Sequence, residues 1–310
     1  MPSTATIITI LEKTGHLRFP FGVAVMTVPP VGAPDYPNSL QDPLVVHAIQ
    51  SYQSFMSPAL EPLIAKHHPE RASASVAVDG VVGPATDELF SLPRCACPDH
   101  GVAMAQAAIG GGSWKSCHGI GDFHSASVRI NRAGLPSHLA PVFEDVLTRV
   151  QRAYDEVGLR FWFDGRSPVQ TDLSFVGSSD GWIGLAIVPG NALSCNANPI
   201  WLRLLATYKG GNTAEAVAQQ WTSLIKHELG HNCGLSHSSG GVMNPSIVNG
   251  LPWSWKNDPS EGLLRSRFGG VPIPSAPTPG PNPPPVEGYI PDLELIWKGK
   301  KYRAYPQASV

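Results

Sequence analysis

The sequence predicts an α+β protein, with a mixed block of helices and strands over residues 101–270 behind a small all-α domain over residues 39–100. Three observations carry that reading. A chain of 310 residues is long for one small domain and suggests two. An apolar fraction of 42% against 15% charged residues is enough for a packed core, which excludes wholesale disorder. The apolar periodicity also changes along the chain, helical before residue 92 and alternating between strand-like and helix-like after it.

The formal charge is −2, from 22 basic and 24 acidic residues, so nothing advertises a nucleic-acid partner or an acidic-membrane surface. No apolar run approaches the roughly 20 residues needed to span a bilayer, and no transmembrane segment is expected. A monomer is expected.

Residues 1–38 show no period and read as an N-terminal extension or linker, with VPPVGAPDYP extended by its prolines. From Leu40 to Leu92 the pattern is helical. Val46, Ile49, Tyr52 and Phe55 recur three apart on one face. A spacer, EPLIAKHHPERASAS, leads to a tight Asp79-Gly80 turn, a Gly83-Pro84 break and a helix starting at Thr86. In the second block, Ala126 to Asn131 alternates as a strand. Val142, Phe143, Val146, Leu147, Val150, Ala153 and Tyr154 mark the buried face of a helix within 139–157. Strands follow at 159–163, 171–176, 184–188 and 200–204, then a long helix over 213–233. Residues 271–286 are a Pro-rich linker, and 287–310 a tail with a hairpin turning at Lys298-Gly299.

The chemistry concentrates in His227-Glu228-Leu229-Gly230-His231-Asn232-Cys233-Gly234-Leu235-Ser236-His237. On a helix, His227 and His231 are i, i+4 neighbours that can meet one ion, with Glu228 beside them as a base and not a ligand. Gly234 can take the left-handed conformation that ends the helix and turns His237 toward the same metal. Three neutral imidazoles leave a fourth position for water, the requirement of a catalytic zinc site. Met243 follows in Gly-Gly-Val-Met-Asn-Pro.

HELGHNCGLSH with the later methionine resembles the metzincin zinc metallopeptidases, and with the N-terminal domain it resembles the matrixin (matrix metalloproteinase) branch, over roughly residues 40–270. The DGxxGPxT segment at 79–86 is similar to small peptidoglycan-binding domains. The resemblance implies a twisted mixed sheet above a cleft, one catalytic Zn2+, and Met243 as an apolar floor beneath it. It also implies Pro245, Ser246 and Ile247 beside the substrate, and Gly184, Leu185 and Ala186 binding an extended peptide through backbone groups. Pro93-Arg94-Cys95-Ala96-Cys97-Pro98-Asp99 resembles the cysteine switch of matrixin propeptides, in which Cys95 would be the fourth zinc ligand of a latent zymogen. Ala96 stands where that pattern has Gly, and Cys97 adds a second thiol. Ile187 or Val188 stands where the family has a histidine for a structural zinc, so that second ion is not expected.

Asp164, Asp172 and Asp180 are acidic enough for Ca2+ but read as turn formers. Cys233 reads as a small buried residue, and Cys117 and Cys195 as a disulfide if the protein is secreted. The family resemblance favours secretion, yet the apolar TIITIL run near the N-terminus lacks the basic flank of a signal peptide. The chain is therefore cytoplasmic, exported by another route, or trimmed. The expected function is zinc-dependent hydrolysis of peptide bonds in proteins. The alternative is a peptidoglycan-binding cell-envelope protein with an accessory or inactive peptidase domain.

Overall fold

The computed structural model describes residues 2–18, 29–69, 78–97, 99, 124–177, 182–186, 200–246, 254–269, 294–297 and 300–303. The chain forms two compact units, Met1–Pro274 and Ser275–Val310. In the second, strands Glu294–Trp297 and Lys300–Arg303 pair antiparallel. The turn expected between them, Lys298-Gly299, lies outside the described residues. Among the described residues no helix is long and apolar enough to cross a membrane.

The larger unit mixes helices with a six-stranded sheet. Its first layer is helical: α1 (Thr4–Lys13), α2 (Pro43–Phe55), α3 (Ser57–His67) and α4 (Pro84–Ser91). The helix α1 lies in the segment read from sequence as a linker. Its β-branched run has weak helix propensity, but Ile7, Ile8 and Leu11 share one face and are buried against α2. Ser3 caps it by accepting from Thr6 N–H at 3.2 Å. The first part of the supposed spacer, residues 61–67, is also helical, since Leu63 and Ile64 join Ala59 and Leu60 in one apolar face of α3. On α2 the buried face is Val45, Ala48, Ile49 and Tyr52, one position round from the predicted stripe, which leaves Val46 and Phe55 at its margin. Pro84 is the first residue of α4, where its missing N–H costs nothing, so the helix begins two residues before Thr86.

The DGxxG turn is held by one side chain. Gln53 on α2 donates to Asp79 Oδ1, Val81 O and Thr86 Oγ1, each at 3.1 Å, and accepts from Gly80 N–H at 2.9 Å. Gly80 has φ +75°, and a Cβ there would lie 2.6 Å from Val46 Cγ1, so no larger residue fits.

The sheet contains β1 (Arg94–Cys95), β2 (His124–Ile130), β3 (Leu159–Trp162), β4 (Thr171–Val176), β5 (Trp182–Ala186) and β6 (Ile200–Leu205), in the order β1-β5-β6-β4-β2-β3. Every pairing is parallel except β5 with β6. Two helices, α5 (Phe143–Asp155) and α6 (Ala214–Asn232), cover the sheet and are followed by α7 (Glu261–Phe268). The predicted stripe of α5 from Phe143 to Tyr154 is buried against Leu224, Ile225 and the strand residues Val128, Phe161 and Leu202. A short 3-10 turn at Ala140–Val142 replaces the first turn expected for that helix. Helix α6 is buried along nearly its whole length from Val217, which suits an element that carries the site through the middle of the unit.

Candidate metal centre

Helix α6 brings His227 and His231 one turn apart on one face, their ring centroids 4.8 Å apart. Cys233 ends the helix and Gly234 takes φ +81°, the left-handed turn expected of it. Leu235 N–H then donates back to Gly230 O at 2.9 Å. This reversal returns His237 to the other two histidines, with ring centroids 5.2 Å from His227 and 4.8 Å from His231.

The three Nε2 atoms face one another at 3.1, 3.2 and 3.3 Å. Each Nδ1 faces an atom that only accepts: Val242 O for His227 and Leu235 O for His231 at 2.8 Å, and Asp99 Oδ1 for His237 at 2.7 Å. The Nδ1 protons are thereby fixed, and the inward Nε2 atoms of His227 and His237 present lone pairs. Burial would lower His231, but the Cys97 and Glu228 charges beside it outweigh that and push it up to about 9. Burial, with the neighbouring imidazoles, holds His227 well below its ordinary value. Burial also lowers His237, against the opposing pull of Asp99. No hydrogen is then available for the His227–His237 contact, which is repulsive unless a cation lies between the rings.

Cys95 completes the group. Its Sγ is 3.5 Å from His231 Nε2, and the ligand atoms of Cys95, His227, His231 and His237 all lie within 4.8 Å of one another. The three nitrogen–nitrogen edges and the one short sulfur–nitrogen edge are of the size that ligand atoms take around a single small ion. These buried residues could hold a metal ion.

Glu228 points into the same space. Its Oε2 lies 3.6 Å from Cys95 Sγ, and its Oε1 is buried with no hydrogen-bond partner. Burial, with the nearby Cys97 charge, pushes its carboxyl up to about 8. Gly184 of β5 makes room for it. A Cβ there would overlap Oε1 and lie 2.6 Å from Cδ, so this position tolerates only glycine while Glu228 keeps its place. Under the helix, Met243 is wholly buried, and a Cβ on Gly230 would lie 2.6 Å from its Sδ. The methionine turn is fixed by Asp258, which accepts from Val242 N–H at 2.6 Å and Ser260 N–H at 2.9 Å.

The strand β1 lies between two walls. Ala96 N–H donates to Gly184 O at 2.9 Å on one side, and Cys95 N–H donates to Pro245 O at 2.8 Å on the other. Gly184, expected to bind substrate through its backbone, and Pro245, expected beside the substrate, thus both have their carbonyl oxygens taken by this segment. Leu185 and Ala186 follow Gly184 along β5, and Ala186 O accepts from Cys97 Sγ at 3.3 Å. Ser246 is buried and bridges to Arg94. Ile247 lies outside the described residues, as do Asp180, Ile187, Val188, Cys117 and Cys195. Asp164 and Asp172 engage Arg166 and Arg129, and neither joins a metal-capable group among the described residues. Cys233 is buried with a free thiol.

Two residues that the sequence reading left without a role anchor this segment. Asp99, fully enclosed, accepts from His237 Nδ1, from Arg94 at 2.8 Å and from His16 Nε2 at 3.1 Å. Burial alone would raise its carboxyl, but the Arg94 guanidinium and the two imidazoles outweigh that and hold it well below the usual range. Its N–H donates to Thr14 O at 2.9 Å, just past α1. His16 is held at Nδ1 by Ser51 at 2.8 Å, and Arg94 also reaches Tyr52 Oη at 3.2 Å. Asp99 had a signal in the PRCACPD pattern. His16 had none, being a single histidine in an aperiodic stretch.

A scan of known family models finds no match to this chain, and a search of curated proteins finds none either.

Proposed function

We propose that the chain is a zinc-dependent endopeptidase of matrixin type, held latent by Cys95. The observation that carries the proposal is the convergence of three Nε2 atoms 3.1 to 3.3 Å apart with the Cys95 thiol 3.5 Å from one of them, beside a Glu228 carboxyl oxygen with no partner among the described residues. His227, His231 and His237 would hold the ion, with Val242 O, Leu235 O and Asp99 fixing the ring orientations. Zinc so held supplies Lewis-acid polarisation of a carbonyl and makes water acidic at neutral pH.

The chain's own residues supply the remaining steps. With β1 withdrawn, the outer edge of β5 is open, because its other edge is paired with β6. Gly184 O and Pro245 O then accept from an extended peptide the bonds they now accept from Ala96 and Cys95. Glu228 takes a proton from the attacking water at Oε1 and delivers it to the leaving amine. In the latent chain Cys95 occupies the space that this water needs.

The test is casein cleavage by the zinc-loaded chain before and after thiol blocking, with Glu228→Ala alongside. Activity should appear on blocking and fall by about 10²- to 10⁴-fold in the variant, with zinc still bound. Full turnover in Glu228→Ala would sink the assignment.

A further inference from the structure

Cys97 belongs neither to the set of three histidines and Cys95 nor to a hydrophobic cluster. Its Sγ lies with Cys95 Sγ, a Glu228 carboxylate oxygen and His231 within a group whose ligand atoms are all within 4.8 Å of one another. Its N–H donates to Cys95 Sγ at 3.3 Å, so the backbone bends there and brings the two sulfurs to the same side. Both thiols are free, and one residue separates them. They also line a cleft of about 960 Å³, walled by Thr9 and Lys13 of α1, by Thr14 just past it, and by Ile183 and Leu185 of β5. That volume is at the upper end for small-molecule sites, and Lys13 places a cationic side chain on its wall.

We infer that Cys95 and Cys97 form a redox-active dithiol that reacts with a small anionic disulfide of the glutathione class, and that closing the Cys95–Cys97 disulfide opens the latch reversibly. The inference rests on the latch reading given above. In the first step the Cys97 thiolate attacks one sulfur of the small disulfide and expels one small thiolate. In the second, Cys95 sulfur attacks Cys97 Sγ and expels the other. The two protein thiols lose two electrons and two protons. The small disulfide gains both and leaves as two thiols.

Cys95 in the disulfide is no longer the thiolate that a metal site requires. Cys97 loses its proton, and with it the bond to Ala186 O that ties the segment to β5. Both changes loosen β1 without cutting the chain. A reductant restores both thiols, which proteolytic removal of the segment could not allow.

The experiment equilibrates the full zinc-loaded chain in buffers of graded glutathione and glutathione disulfide. Samples are quenched with acid, alkylated and mapped by peptide mass, and casein cleavage is followed in parallel. Cys97→Ser and Cys97→Ala are run beside the parent, because serine and alanine differ in how they fill the site. In the parent, both thiols should vanish together, a linked Cys95–Cys97 peptide should appear, and activity should rise and reverse with reductant. Both variants should need at least about tenfold more disulfide to lose the Cys95 thiol, since the second step is missing.

A parent that forms only a mixed disulfide, or variants that respond at the same disulfide concentration, would overturn the dithiol. Cys95→Ala separates this from the underlying reading. That variant should be active in every buffer. An inactive, zinc-loaded Cys95→Ala would overturn the peptidase, and the peptide map decides the dithiol independently of it.

Discussion

Replacing Asp99 by Asn removes one charge and little volume, yet it should unlatch the segment. Among the described residues, Asp99 is the only carboxylate paired with the Arg94 guanidinium, whose side chain is 11% exposed. It is also the acceptor for His237 and, through His16, for the helical layer. Breaking a buried pair from one side costs about 3–5 kcal/mol, because the remaining charge stays buried and unpaired. Part of that cost is relieved if the segment leaves, since Arg94 then returns to water. At about 1.4 kcal/mol per decade, the full cost would shift the latched-to-open ratio by about 10²- to 4 × 10³-fold. The readout is the alkylation rate of Cys95 in the zinc-loaded chain, a measure of opening that needs no catalysis. An Asp99→Asn rate within twofold of the parent, in a folded chain, would refute the claim that this carboxylate holds the latch.

Other outcomes follow from the same geometry. Because the folded-state value of Asp99 is depressed, its contribution is complete above the ordinary carboxylate value of about 3.9 and is lost only as pH falls through the depressed value. Thermal melts of parent and Asp99→Asn should therefore keep a constant gap from pH 7 down to about 4 and converge below it. On the proposed peptidase reading, Gly184→Ala should displace Glu228 and lower kcat/KM of the thiol-blocked chain by about 10²-fold, as a misplaced reacting group does, with zinc content unchanged. A loss under threefold would show that Glu228 has room to move. Adding zinc to the chelated chain at a hundredfold excess over its Kd should stabilise it by about 2.7 kcal/mol, read as a rise in Tm. The same addition to His231→Ala should give far less.

The metal-capable histidines were legible in the sequence because their geometry is local. Positions i and i+4 share a face in any α-helix, and Gly234, three residues before His237, supplies the reversal at a known offset. Long amphipathic runs such as α5 were legible for the same reason. Helix α1 was not, because the three residues it buries sit among other apolar residues in a short β-branched stretch that shows too little period to read.

What the sequence by itself determined is the kind of chemistry: three imidazoles, a carboxylate and a thiol in patterns that suit one metal ion. Only the tertiary structure decided which groups meet across long separations in the chain. It placed Asp99 on His237, 138 residues away, and on His16, 83 residues away. It also ran β1 along β5 and set Cys97 beside Cys95 in a cleft under α1. Such contacts come from the packing of whole layers, helical against sheet, and no short window of sequence contains both partners.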